Sequence, residues 1–377
     1  TTTTALYGGI TDNVPRLDYT DSSCPALLLE PQRTNVIPYS EYYPAATRVN
    51  ITQNSVVSPE GVNNAASVVA TSVNGSHEVT ISPLISISNT NTRTFSTFAK
   101  YNGNHLILNV AGSPTNWTGC VFDLQNGVAK TPQQSGAQLV CTTDIKDYGN
   151  GWYRCSITFT PYGGGGFFHL ISLTNDVNAT LTTYGADEYI GDDVSGIYLY
   201  GRQLEVASYA TSYIPTYGTS VTRNTDACVK TGASDLIGQS EGVIYFEWDY
   251  QNTGSGGGNI PISLAGDSAK ELYFWVQGNG NYFYDVYNSS SQVSITGSMG
   301  SFGTKKIALA YKNNDFALYI NGVLAGTDTS GSVPILNRLY IGGYAINPNY
   351  NISSGINQTL LFKTRLSNEE LAALTTI

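Results

Sequence analysis

Charge is scarce in this sequence. Of its 377 residues only 12% are Asp, Glu, Lys or Arg, where about 25% is usual, and Tyr alone (27) outnumbers Lys plus Arg (18). No basic run is longer than the pair Lys305 and Lys306, and the formal net charge is −10. Nucleic-acid binding needs a basic stripe or patch, so that partner class is excluded and phosphate ligands are disfavoured. Histidine is scarcer still, limited to His77, His105 and His169. His77-Glu78 opens like an H-E-x-x-H metal helix, but Ile81 stands where the second His belongs and Pro83 follows, so no zinc site of that kind is expected. A G-x-S-x-G nucleophile elbow is missing, and the Gly163 to Gly166 run lacks the Lys and Ser/Thr of a phosphate loop.

Long apolar runs are missing too. The longest aliphatic stretch, Ala26 to Leu29, falls far below the ~20 residues that span a bilayer, and Thr1 to Thr4 carry neither the basic nor the apolar part of a signal peptide. The expectation is a soluble chain without membrane insertion. The cysteines (Cys24, Cys120, Cys141, Cys155, Cys228) are odd in number and lack C-x-x-C spacing. That suits folding in a reducing cytoplasm, with the thiols at buried strand positions and no disulfide.

What is present is the palette of β-structure: 39 Gly, 11% aromatics and 41% hydrophobic residues, enough to bury real cores. Asn-Gly, the strongest short-range hairpin signal, recurs at Asn74, Asn102, Asn126, Asn150, Asn279 and Asn321. A two-residue turn at Asn150-Gly151 sets Cys155 opposite Lys146, away from Cys141. Ile307, Leu309 and Tyr311, then Phe316, Leu318 and Ile320, alternate around a polar turn at Lys312 to Asp315, as half-buried strands do. Ile157 with Phe159 and Ile197 with Leu199 repeat the pattern. One helix is signalled, at the C-terminus, where Ser367 and Glu370 form a capping box and Leu366 and Leu371 a hydrophobic staple. Four prolines (Pro15, Pro25, Pro31, Pro38) make residues 1–38 an extended arm. A Thr, Ser, Asn and Gly rich break after Pro215 puts a domain boundary near Thr222. The expected fold is all-β: an arm, one antiparallel jelly roll over 39–222, a second over 223–377, and a short terminal helix.

Within this frame, Pro15-Arg16-Leu17-Asp18-Tyr19 followed by Cys24-Pro25-Ala26-Leu27-Leu28-Leu29-Glu30-Pro31-Gln32-Arg33-Thr34-Asn35 resembles a signature of bacteriophage fibre and tail proteins. Gly149 to Thr158, with Gly151-Trp152-Tyr153-Arg154, and Gly196 to Pro215, with Gln203-Leu204-Glu205 and Thr211-Ser212-Tyr213-Ile214-Pro215, resemble later parts of the same family. Relatives often carry Trp at the position of Tyr200. The resemblance runs from Asp12 to about Asn224 and implies a jelly roll of carbohydrate-binding type. From Glu241 onward, Ile307 to Val323, Leu339-Tyr340-Ile341-Gly342-Gly343 and the terminal Phe362 to Leu374 are similar to a laminin G-like, concanavalin A-like jelly roll. Together they imply a virion surface fibre or receptor-binding protein.

The catalytic candidates are few. Glu247 and Asp249 share a strand face, as the acids of some concanavalin A-like glucanases do, but Asn252 stands where those enzymes carry their third acid, leaving no proton donor. The plainer reading is an exposed strand face, and no enzyme is expected. The laminin G-like resemblance implies a rim Ca²⁺, for which Asp267 is the candidate ahead of Asp328; in the first module Asp187, Glu188, Asp192 and Asp193 bracket a turn that carboxylate oxygens could make a Ca²⁺ site. For each, a solvated turn carboxylate is the plainer reading. Aromatic rings stack on the apolar faces of sugars, and the hairpin with Tyr273, Trp275, Tyr282 and Tyr284 is the densest patch; Trp117, beside a turn, is a second candidate and Trp152 a core residue. The expected function is a non-enzymatic bacteriophage fibre or knob on tail or capsid. It folds in the host cytoplasm, assembles as a homotrimer with other virion proteins, and recognises host surface polysaccharide. The alternatives are a decoration or assembly protein that binds no sugar and, behind it, a polysaccharide depolymerase.

Overall fold

The computed structural model describes residues 16–18, 25–80, 90–136, 140–161, 168–226, 228–250, 258–343 and 354–377. They divide into two compact units, Arg33–Arg223 and Asn224–Ile377, the second completed by the described part of Asp12–Gln32. Both are antiparallel β-sandwiches. No helix among the described residues is long and apolar enough to cross a membrane.

In the first unit one sheet runs Val140–Asp147, Trp152–Thr160, Arg93–Asn102, Gly196–Glu205, Ala65–Ala70, Val49–Val56. The facing sheet is centred on His105–Ser113, flanked by Asn116–Asp123 and Phe168–Thr174. Alternate residues of the two, including Phe95, Leu106, Leu108, Phe122, Ile157, Phe159, Ile197 and Leu199, meet in one core. In the second unit the sheet Leu17–Asp18, Ala26–Leu29, Ser354–Phe362, Glu241–Tyr250, Gly303–Lys312, Phe316–Ile320, Val323–Asp328 packs on the sheet Cys228–Thr231, Arg338–Ile341, Asn259–Ala265, Lys270–Val276, Asn281–Asn288, Ser291–Ser298. Its core is an aromatic pile that includes Phe246, Trp248, Tyr250, Phe274, Tyr284 and Tyr311.

The alternation at Ile307, Leu309, Tyr311 and at Phe316, Leu318 is the core face of the predicted hairpin, closed by Asp315 N–H donating to the Lys312 carbonyl (2.9 Å). The helix Asn368–Thr375 begins at the expected capping box: the Ser367 hydroxyl accepts from Glu370 N–H (3.2 Å) and the Glu370 carboxylate accepts from Ser367 N–H (2.7 Å). Leu371 is buried against Val243, Ala308 and Tyr319, with Leu366 beside it. The prolines of the arm do not prevent pairing, because Pro25 precedes and Pro31 follows the strand Ala26–Leu29, leaving its ladder N–H groups in place.

The Asn-Gly turns differ from expectation in register. Only Asn150-Gly151 and Asn321-Gly322 hold both residues at positive φ. Around the first, Tyr148 N–H donates to the Trp152 carbonyl across a three-residue loop, with Gly149 also at φ 77°. Cys155 therefore faces Ile145, not Lys146. Cys120 and Cys155 are buried, Cys141 and Cys228 only half-buried, and all four are free thiols; Cys24 lies outside the described residues.

Candidate functional site

The aromatic hairpin belongs to the six-stranded sheet of the second unit. Leu272, Phe274, Val276, Tyr282, Tyr284 and Val286 enter the core, so alternation turns Glu271, Tyr273, Trp275, Phe283, Asp285 and Tyr287 to the outer face. The register pairs Trp275 with Phe283, Tyr273 with Asp285 and Glu271 with Tyr287. Trp275 and Phe283 stack with centroids 4.7 Å apart and planes 28° from parallel; Tyr273 and Tyr287 are 6.2 Å apart and 7° from parallel. Ring-on-ring packing keeps Tyr273 at 8% exposure while Trp275, Phe283 and Tyr287 stay half-buried. Ser263 borders Tyr273 on one side, and Ser294 and Thr296 border Asp285 and Phe283 on the other. Burial pushes the Asp285 carboxyl above the usual aspartate range, partly offset by hydrogen bonds from Ser294 and Tyr273. Gly258 lies against the Trp275 indole so closely that any Cβ there would collide with it. The arrangement offers flat apolar ring surface bordered by hydroxyls and carboxylates, the pairing that a pyranose ring requires.

Of the residues singled out from sequence, Tyr273 and Trp275 lie on this face. Tyr282 and Tyr284 do not: they are 5% and 0% exposed, and the Tyr284 hydroxyl donates to the Ala310 carbonyl inside the sandwich. The cause is the turn. A two-residue Asn279-Gly280 turn would set Tyr284 opposite Trp275. Instead Gln277 N–H donates to the Asn281 carbonyl around three residues, with Gly280 at φ 83°, and that single-residue shift exchanges the two faces of the second strand. Phe283, Asp285 and Tyr287 take those places. Trp117 is also corrected: it is 6% exposed, packed on Ala179 and Leu181, and its ring lies 2.9 Å from where a Cβ on Gly185 would sit. Trp152 is buried as expected.

The carboxylates proposed for Ca²⁺ have other partners. Asp192 accepts from Val194 N–H, Ser195 N–H and the Ser195 hydroxyl (2.9, 2.6 and 2.7 Å), which holds its carboxyl below the usual range. Asp193 accepts from Ser72 N–H (3.1 Å) and Asp187 from the Thr174 hydroxyl (2.6 Å). Asp267 faces the Arg338 guanidinium at 3.2 Å, a cation already in place, and Asp328 caps a turn through Ser330. Among the described residues no three His, Cys, Asp or Glu side chains converge. Asp249 accepts from Thr304 and Asn357 (2.9 and 3.1 Å), and Glu247 is approached by the Tyr245 hydroxyl at 3.5 Å; Asn252 and the Gly163 to Gly166 run lie outside the described residues. His77 is buried, its Nε2 2.9 Å from the Thr71 carbonyl oxygen. His105 is buried as well, Nδ1 accepting from Leu124 N–H (3.2 Å), and burial depresses its pKa.

The residues that carry the family resemblance turn out to knit the fold. Asn35 donates to the carbonyls of Arg202 and Ile214 (3.0 and 2.9 Å), and its oxygen accepts from Leu204 N–H (3.1 Å). Gln203 donates to Glu205 (2.7 Å), which in turn accepts from the Thr211 hydroxyl (2.6 Å). In the other unit the Arg16 guanidinium bridges Glu30 (2.7 Å) and Asp226.

No family model and no curated protein matches this chain. Among solved structures, the CBM40 of the Ruminococcus gnavus IT-sialidase bound to α2,3-sialyllactose is 18% identical, with TM-score 0.33 over 38% of this chain and 87% of that one. Domains LG4-5 of the mouse laminin α1 chain are 11% identical, with TM-score 0.27 over 74% and 84%. Trypanosoma rangeli sialidase in complex with 2,3-difluorosialic acid is 12% identical, with TM-score 0.33 over 87% and 62%. Similarity at this level does not carry those proteins' ligands or activities over to this chain.

Proposed function

We propose that this protein is a non-enzymatic, glycan-recognising protein of the bacteriophage virion surface, a fibre or receptor-binding component that holds host polysaccharide on the outer sheet face of its second unit. One observation supports the binding reading above the others: two stacked ring pairs, Trp275 with Phe283 and Tyr273 with Tyr287, kept on the outer side of a sheet between polar side chains. The virion assignment rests on the resemblance of the Pro15 to Asn35, Gly149 to Thr158 and Gly196 to Pro215 segments to fibre and tail proteins; trimeric assembly and contact with other virion proteins are part of the same proposal. The test is titration of the full chain with purified host surface polysaccharide. Trp275→Ala should weaken binding at least tenfold, as loss of a central aromatic anchor does, with the fold retained at the titration temperature. Undiminished binding by Trp275→Ala overturns the site, and failure of the wild-type chain to bind host cells or polysaccharide overturns the function.

A further inference from the structure

The first unit holds a second group of aromatics outward. Tyr39, Tyr42 and Tyr217 are 41%, 52% and 77% exposed, although rings of this size are mostly covered in folded proteins. Their exposure follows from a backbone that leaves them no alternative. A β-bulge between Tyr200 and Gln203 takes Arg202 out of its ladder, and its N–H donates instead to the Ser40 carbonyl (2.8 Å). The Arg202 side chain is fully buried; its Nη2 donates to the carbonyls of Tyr39 and Tyr42 (2.9 and 2.7 Å), and the guanidinium lies 4.5 Å from the Tyr43 ring. Ser40 Oγ accepts from the Tyr213 hydroxyl and Thr216 N–H (2.6 and 2.8 Å), and Gly218 N–H donates to the Pro38 carbonyl (2.7 Å). The segments bearing the three rings are thereby bound to each other and to the sheet.

At the centre of the group stands a carboxylate. Glu41 Oε1 accepts from the hydroxyls of Tyr200 and Tyr217, both at 3.2 Å, and lies 3.1 Å from the Tyr213 hydroxyl oxygen. Asn64 Nδ2 lies 3.4 Å from both Glu41 Oε2 and Glu60 Oε2, so a single amide joins two carboxylates. Tyr42 has its neighbour in Tyr39, edge to face at 6.2 Å.

We propose that Tyr39, Tyr42 and Tyr217, with Glu41, Glu60 and Asn64, form a second saccharide site, specific for uncharged sugar residues. The rings supply apolar faces, while the carboxylate oxygens accept hydroxyl protons. Two carboxylates sharing one amide repel an anion, which sets this site against acidic sugars. Ordering is complete before the ligand arrives, so little conformational entropy is lost on binding. The site is independent of the outer sheet face of the second unit.

The test uses the full chain and four variants: Trp275→Ala, Tyr42→Ala, the two combined, and Tyr42→Phe. Neutral tetrasaccharides of glucose, galactose and N-acetylglucosamine are the probes, with sialyllactose and tetragalacturonate as acidic controls, in titrations read by ligand-observed NMR. Tyr42→Ala should lower the affinity that remains in Trp275→Ala for at least one neutral probe tenfold or more. Tyr42→Phe should restore it, and the acidic probes should not respond to either change. Residual neutral binding unaltered by Tyr42→Ala overturns this site, as does an acidic probe bound more tightly than every neutral one. Loss of all binding in Trp275→Ala alone also overturns it while leaving the sheet face intact. Binding lost in Tyr42→Ala but untouched by Trp275→Ala supports this site and overturns the other. If no saccharide binds to any form but Tyr42→Ala abolishes capture of a virion protein, the patch is a protein contact and the proposal fails.

Discussion

The two units build the same kind of sandwich around different interiors. In the second, the fully buried large side chains are aromatic: Phe246, Trp248, Tyr250, Phe274, Tyr284 and Tyr311. In the first, Arg202, Gln203, Glu205 and Asn35 are as deeply buried as Phe95 and Phe159, and each is hydrogen-bonded to main-chain groups outside its own strand, those of Asn35 and Arg202 more than 160 residues away. An apolar pile gains stability in proportion to the area removed from water and tolerates changes that keep volume. A buried polar network has steeper consequences, since every missing partner leaves a desolvated group behind. The same network that makes the first unit intolerant of change also fixes which loops stand at its surface.

The largest expected effect tests that contrast directly. Arg202→Met leaves the carbonyls of Tyr39 and Tyr42 without their donor and should cost about 3–5 kcal/mol, read as a lower urea midpoint for the first unit with the second unit unchanged. In the second unit, Tyr284→Phe removes the hydroxyl bonded to the Ala310 carbonyl and should cost only about 1 kcal/mol in the same measurement. Equal costs for the two would break the distinction between a polar and an apolar interior. The smallest effect is Asp285→Asn. Because burial raises the Asp285 carboxyl above its unfolded value, its contribution to stability is full below the ordinary aspartate pKa of about 3.9 and is lost as pH rises through the folded value. The variant should therefore melt above wild type at pH 7, and the difference should vanish at pH 3. A difference that grows on acidification would mean that Asp285 is stabilised as its anion.

How much of this could be read from sequence depended on distance along the chain. The Ser367-Glu370 capping box and the Ile307 to Ile320 hairpin involve residues close in sequence, and both stand where expected. The aromatic face was legible only by half, because Tyr273 and Trp275 obey alternation within one strand while their partners depend on whether the Asn279-Gly280 connection has two residues or three. Alternation has period two, so one residue reverses every side chain beyond the turn. The Tyr42 patch was illegible for another reason. Glu41 meets Tyr200, Tyr213 and Tyr217, about 160 to 176 positions away, and nothing in local spacing announces such a meeting. The motif residues Asn35 and Gln203 were conspicuous, but their chemistry serves main-chain groups of the fold.

The strand Ala26–Leu29 lies between Leu17–Asp18 and Ser354–Phe362. Its inner neighbour is thus translated more than three hundred residues later. At roughly 5–20 residues per second on the ribosome, that interval is on the order of tens of seconds. Throughout it, Leu27, Leu28 and Leu29 have one flank unpaired, while Arg33–Arg223 emerges and, before the interval ends, can close its own sheets. Nascent chains of this protein should therefore present a sticky, half-zipped edge until the final strand appears, and a stop codon placed before Ser354 should yield a product whose first unit folds and whose second depends on a chaperone.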